Sequence, residues 1–109
     1  MAYDDRLVER VRKALGGTSS VTERKMFGGI AFMLRGNMCC GIIDDRLMVR
    51  VGPEGYEKAL ALANASAMDY TGKPMRGFVY VSSDGTKSAR QLRAWVQRGV
   101  DFAQTLPAK

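Results

Sequence analysis

Leu7, Val8, Val11, Ala14 and Leu15 recur at intervals of three and four behind Asp4-Asp5, and the pattern stops at Gly16-Gly17. A carboxylate caps the free N–H groups of a first helical turn and a glycine pair ends a helix, so the spacing predicts a helix over about 4–15. From Thr22 the period changes to two. Three extended segments follow, Thr22–Leu34 interrupted at Gly28-Gly29, Met38–Ile43 and Leu47–Val51. They are separated by Gly36-Asn37 and Asp44-Asp45-Arg46, which are turn-type sequences, and the whole reads as an antiparallel meander. Gly28-Gly29 is read as a bulge or bend between two strands. Gly52-Pro53-Glu54 breaks the sheet and opens a second helix, about 54–63, with a weak stripe of Tyr56, Leu60 and Leu62. Met75–Ser82 alternates again and holds Phe78, Val79, Tyr80 and Val81, strong strand formers. Ser88 then caps a last helix, 89–106, whose face of Leu92, Trp95, Val96, Gly99, Phe102, Ala103 and Leu106 is the clearest period in the chain.

The order is helix, three strands, helix, one or two strands, helix, with no repeat and no linker rich in Pro or Ser. Segregated strands joined by short turns predict an α+β fold, an antiparallel sheet of four to five strands with helices packed on it, in a single domain over residues 1–109.

A two-residue turn at Gly36-Asn37 would set Leu34 opposite Cys39, Phe32 opposite Gly41 and Ile30 opposite Ile43 on one face. A three-residue turn at Asp44–Arg46 adds Leu47, Val49 and Val51 to that face, whereas a two-residue turn would bring Met48 and Arg50 there instead. The first version keeps both arginines out of the core and is the expectation. The other face then carries Ala31, Met33, Arg35, Met38, Cys40, Ile42, Met48 and Arg50. Methionine-rich surfaces repack around partners, so Met33, Arg35, Met38, Cys40, Met48 and Arg50 form a candidate partner or self-association surface, unless helix 54–63 or a loop covers it.

Composition narrows the chemistry. The chain has 109 residues, 46% apolar and 26% charged, which suits one ordinary globular core. Its net charge of +6 is spread evenly, nine Lys/Arg against six Asp/Glu in residues 1–50 and eight against five in 51–109, so no basic tail or stripe marks a dedicated nucleic-acid binder. The first residues lack the character of a secretory signal, and the longest mostly apolar run, Met26–Leu34, falls well short of the ~20 residues that span a bilayer. The expectation is a cytoplasmic protein without membrane contact. Histidine is absent. That excludes imidazole bases, Ser-His and Cys-His pairs and His-ligated zinc. Gly28-Gly29 lacks the further glycines or the Gly-Lys-Ser/Thr of a phosphate loop. Cys39 and Cys40 are strand neighbours that should point to opposite faces, so they are expected as reduced thiols without a mutual bridge. Neither an enzyme nor a cofactor site is expected. Two other readings remain, a nucleic-acid-binding module using Arg90, Arg93 and Arg98, and a small thiol-dependent protein using Cys39 or Cys40.

Arg24-Lys25-Met26-Phe27-Gly28-Gly29-Ile30-Ala31-Phe32, then Gly36-Asn37-Met38 and Leu47-Met48-Val49-Arg50-Val51, resemble the amino-terminal domain of the TfoX/Sxy competence regulators. Lys73-Pro74-Met75-Arg76-Gly77-Phe78 and the helix around Leu92, Trp95 and Gly99 are similar to that family too. The resemblance spans nearly the whole chain, with Arg24, Met26, Phe27, Gly28 and Gly29 as its signature. It implies a secretion-chaperone-like fold, a bacterial cytoplasmic setting and a part in transcription regulation through contact with a regulatory protein or with itself as a homodimer. It supplies no catalytic residues. Regulators of that family carry a second, carboxy-terminal domain of helix-hairpin-helix type, so nucleic-acid contact is not expected of this domain alone.

Overall fold

A computed structural model describes residues 3–18, 20–26, 28–68 and 75–108. Three helices and six strands follow in the order α1 (Asp5–Ala14), β1 (Val21–Met26), β2 (Gly29–Leu34), β3 (Asn37–Ile43), β4 (Arg46–Arg50), α2 (Gly52–Leu60), β5 (Ala65–Ala67), β6 (Phe78–Val81) and α3 (Ala89–Gln104). The strands form one antiparallel sheet in the order β1-β2-β3-β4-β6-β5. The mixed fold expected from the pattern is therefore present, with six strands where four to five were read.

Local chemistry sets the helix ends. The Asp4 carboxylate accepts the N–H groups of Arg6 and Leu7 at 2.9 and 3.4 Å, and Ser88 and Gln91 exchange reciprocal bonds of 3.0 and 3.1 Å at the start of α3. The strand beyond the four to five read from sequence comes from the first hairpin, and β5 is the second of the one or two strands read before the last helix. Met26 pairs with Gly29, so Gly28 sits in a tight hairpin turn that divides the expected long strand, and Gly28-Gly29 is not a bulge. The stretch before Phe78 contributes the three-residue edge strand β5, too short to carry a periodic signal.

Register departs from expectation at the first turn, at a bulge in β3 and at the second turn. Leu34 pairs with Asn37, which moves the hairpin tip to Arg35-Gly36, both at positive φ (50° and 85°), as the favoured two-residue turn requires. Phe32 then faces Cys40 while Met33 faces Met38, leaving Cys39 as the extra residue of a β-bulge. The next turn has two residues, Asp44-Asp45, since Ile43 pairs with Arg46. Moving the tip shifts the pairing by two residues and keeps the faces, whereas the bulge and the shorter second turn each shift it by one and reverse them, so those two together restore β4 to its expected orientation. Between them, β3 is changed. Ile42 faces the helices and Gly41 and Ile43 face away, the opposite of the expected arrangement.

The two faces hold two cores. Ile30, Phe32, Leu34, Ile42, Leu47, Val49, Val79 and Val81 pack with Leu7, Val11, Leu92, Trp95 and Val96 beneath the helices. Ala31, Met33, Met38, Ile43, Met48 and Tyr80 pack on the other side with Met68 and Met75. Helix α2 buries Tyr56 and Ala59 in the first core, so it does not cover the methionine face.

Candidate functional site

The six residues proposed from sequence as one partner surface are not brought together. Met33, Met38 and Met48 do share a face, at 8%, 8% and 1% exposure. Cys40 lies on the opposite face, because the bulge at Cys39 turned it toward the helices. Arg35 sits at a hairpin tip and donates to the carbonyl of Gln104 at 3.2 Å. Arg50 reaches the rim of the methionine face, its guanidinium 5.6 Å from the Phe78 ring and 5.3 Å from the Phe102 ring. The pattern missed three members of this face. Arg46 stacks 3.9 Å over Tyr80, and Met68 and Met75 close a loop there through a 2.7 Å bond from the Met75 N–H to the Met68 carbonyl. The methionines thus form a second buried core rather than an open patch.

The bulge also corrects the reading of the thiols. In a regular strand neighbouring side chains point apart, but here Cys39 and Cys40 both join the helix-side core with their sulfurs 3.9 Å apart. Both are fully buried, and the Cys39 thiol lies 3.4 Å from the Phe32 carbonyl. The Cys40 thiol is pushed up from its ordinary range by the hydrogen bond to Cys39 and by burial, both of which favour the neutral form. The Cys39 thiol is held below its ordinary range by that same hydrogen bond, against the opposing effect of burial, but it lacks the access to solvent that a nucleophilic thiol also needs. Among the described residues no group of three or more His, Cys, Asp or Glu is placed to hold a metal ion.

The exposed concave surface lies between the helices. Arg10, Lys13, Ala14, Ala89, Leu92 and Arg93 line a groove of about 370 Å³ between α1 and α3. On the other flank of α3, Val51, Pro53, Glu54, Lys58, Arg98, Asp101 and Phe102 help line a second groove of about 580 Å³ against α2. The arginines grouped from sequence are accordingly divided. Arg93 belongs to the first groove, Arg98 to the second with its guanidinium 5.5 Å from the Trp95 ring, and Arg90 stands on the exposed outer surface. Arg10 and Lys13, which the periodic pattern did not single out, are what the fold adds to Arg93. Their signal was present as a charged flank of α1, but only helix packing sets it beside α3.

With this geometry in place, comparison with known families is decisive, for the family model of the TfoX N-terminal domain matches residues 13–103. The chain belongs to the TfoX N-terminal domain family. No curated protein and no solved structure matches it. The likeness to secretion chaperones therefore rests on the family resemblance alone.

Within this TfoX N-terminal domain the signature residues have mostly structural duties. Arg24 and Met26 lie on edge strand β1, Arg24 exposed and Met26 packed against the methionine core. Gly28 takes φ 74° at the hairpin tip. A Cβ on Gly29 would lie 3.0 Å from the carbonyl carbon of Ile42 and closer still to its oxygen, so only glycine lets β2 and β3 approach there. Phe27 lies outside the described residues. No described helix is long and apolar enough to cross a membrane.

Proposed function

We propose that this domain is a non-enzymatic regulatory or adaptor module of the cytoplasm that binds another protein, and that it contributes in this way to transcription control. Family membership supports the regulatory role. The observation that carries the reading is the groove between α1 and α3, where Arg10, Lys13 and Arg93 surround Ala14, Ala89 and Leu92 without a carboxylate among the lining residues. The thiols and methionines, the residues best suited to chemistry or adaptable contact, are spent on the two cores. A groove between two helix flanks suits a strip of polypeptide better than a small substrate, which is usually enclosed over most of its surface.

The same three cations favour a second reading, contact with nucleic acid. It has less support, because the surface lacks the continuous stripe of charge that backbone binding uses, and Arg93 and Arg98 fall in different grooves. Affinity capture with the full chain from native cytoplasm, with and without nuclease treatment, tests the leading reading. A discrete protein retained in near-stoichiometric amount supports it. Retention that disappears with nuclease treatment, or no retention above an unrelated basic domain, refutes it.

A further inference from the structure

We infer that the groove between α1 and α3 is the contact surface of this domain and takes an acidic amphipathic helix of a protein partner. The inference rests on the reading that the domain acts by protein contact, and it names the site and the chemistry of the occupant.

Charge on α1 is sorted by flank. Arg6, Arg10 and Lys13 recur at intervals of four and three, which places them on one side of the helix with Ala14. Asp5, Glu9 and Arg12 fall on the other side, where Arg12 pairs with Glu9 and, at 2.6 Å, with Glu23 of β1. The acids of α1 are thus directed away from α3, while Arg10 and Lys13 line the groove against it. On α3, Ala89 and Arg93 lie four residues apart on the flank that lines the groove, and beyond them Gln97 donates to Asp101 at 2.7 Å on the outer surface. Lys13 and Arg93 are exposed, and neither takes part in an ion pair among the described residues. Arg10 is held in place by bonds of 2.5 and 3.2 Å to the carbonyls of Thr86 and Lys87, which leaves its positive charge uncompensated.

Apart from the two bonds by which Arg10 ties α1 to the segment before α3, like charges gathered on facing helix flanks repel and do not stabilise the fold. They complement an anion. At the floor of the groove Leu92 is 2% exposed, with Ala14 and Ala89 on the walls. Small side chains there leave room for an apolar residue of the occupant. The adjoining hollow mixes Asp4 and Asp45 with Arg6, Arg10 and Lys87, and Asp84 pairs with Lys87 at 3.1 Å, so the acid-binding stretch is confined to Arg10, Lys13 and Arg93.

A helix of ten residues such as α1 is about 15 Å long, which matches some three turns of a partner helix lying along it. Such a partner would place carboxylates over Lys13 and Arg93 and a small apolar stripe against Ala14 and Ala89, the helix-in-groove mode of recognition. Nucleic acid fits less well. No aromatic side chain lines the groove for base stacking, and an apolar floor offers phosphates nothing. The family match starts at Lys13, so Arg6 and Arg10 lie outside it and the charged flank is read from this chain itself.

The test titrates the full chain with a blocked, fluorescent peptide of about three helical turns, built from Leu, Ala and Glu with the glutamates along one edge of the apolar stripe. A scrambled peptide of the same composition and a short DNA duplex serve as competitors. The ordered peptide should bind, shift the amide resonances of Ala14, Ala89 and Leu92, and bind about tenfold more tightly than the scrambled one. K13E together with R93E should weaken it at least about tenfold without lowering the melting temperature, because both side chains are exposed. The double Gln variant should give an intermediate loss, and it keeps the test valid if the Glu variant misfolds. Equal binding of ordered and scrambled peptides, or an undiminished affinity of the variants, overturns the proposal. So does displacement by the duplex with a steep salt dependence, which would make the groove a nucleic-acid site. Variant-sensitive self-association in sedimentation would assign it to a second copy and overturn it as well. If affinity capture from cytoplasm succeeds equally with the parent and the double variant, the groove is refuted while the protein-contact reading stands.

Discussion

Replacing Gly99 by Ala should destabilise this protein, although the same change in an ordinary helix interior stabilises. Gly99 lies on the face of α3 that crosses the bulge in β3. A Cβ placed there would come within 3.0 Å of the Cys39 carbonyl carbon and 3.4 Å of a Val49 methyl, and closer still to the Cys39 carbonyl oxygen. The obstacle is sheet backbone, which cannot rotate away as a side chain can. Relief requires α3 to withdraw by ~1 Å, and a gap of that size forfeits about a quarter to a half of each dispersion contact that Leu92, Trp95, Val96 and Val100 make with the sheet. Overpacking costs about 1–3 kcal/mol, and an obstacle of sheet backbone puts this site in the upper part of that range, about 2–3 kcal/mol, while removing glycine from a helix returns about 1 kcal/mol. The net expectation is a loss of about 1–2 kcal/mol, or a melting temperature lower by roughly 4–15 °C for a domain of this size. Gly55 in α2 is the internal control, since its nearest neighbour to an added Cβ would be Val51 Cβ at an ordinary 3.8 Å. Gly55→Ala should raise stability by about 0.5–1 kcal/mol. Thermal melts followed by circular dichroism of both variants check the argument. A Gly99→Ala protein as stable as the parent, or both variants moving in the same direction, would refute the close approach of α3 to the bulge.

Trp95 is 6% exposed between α3 and the sheet, so Trp95→Ala should cost about 3–5 kcal/mol, and a variant melting within a few degrees of the parent would contradict its place in the core. Met48→Glu puts a carboxylate at a position 1% exposed and should unfold much of the protein at neutral pH, whereas a folded variant would mean that the methionine face is open after all. Buried and pushed toward its neutral form, Cys40 should resist alkylation at neutral pH until denaturant is added, and labelling of the native protein at the rate of a free thiol would overturn the bulge assignment. The Arg12 guanidinium beside Glu23 holds that carboxyl below its ordinary range. A lowered folded pKa stabilises above the unfolded value and loses its effect as pH falls through the folded one, so the melting gap between the parent and Glu23→Gln should be small, widest near neutrality and closed in acid. A gap that widens in acid would reverse the sign of the argument.

Periodicity and capping by themselves determined α1 and α3, because Asp4, Ser88 and the stripe from Leu92 to Ala103 act within a few residues of one another, whereas α2, without a side-chain cap, runs Gly52–Leu60 where 54–63 was read. The same local terms identified the strands of the meander and the glycines that interrupt them. They left strand register open. A turn at Gly36-Asn37 and one at Arg35-Gly36 satisfy the same short-range chemistry, and only the pairing of Leu34 with Asn37 decides between them. That choice keeps the faces, and it is the bulge at Cys39 that buries Cys40 with Cys39 and exchanges Ile42 for Ile43 on the helix side. The orientation of β4 came out as expected because a one-residue shift at Asp44-Asp45 cancelled that of the bulge. The methionines were legible as a group, but their burial was not, since Met68 and Met75 reach that face from a loop far along the chain. The α1/α3 groove is the plainest case. Arg10 and Lys13 look like a solvated flank in the sequence, and their meeting with Arg93 exists only because both helices pack on one sheet face, a long-range contact that no local pattern encodes.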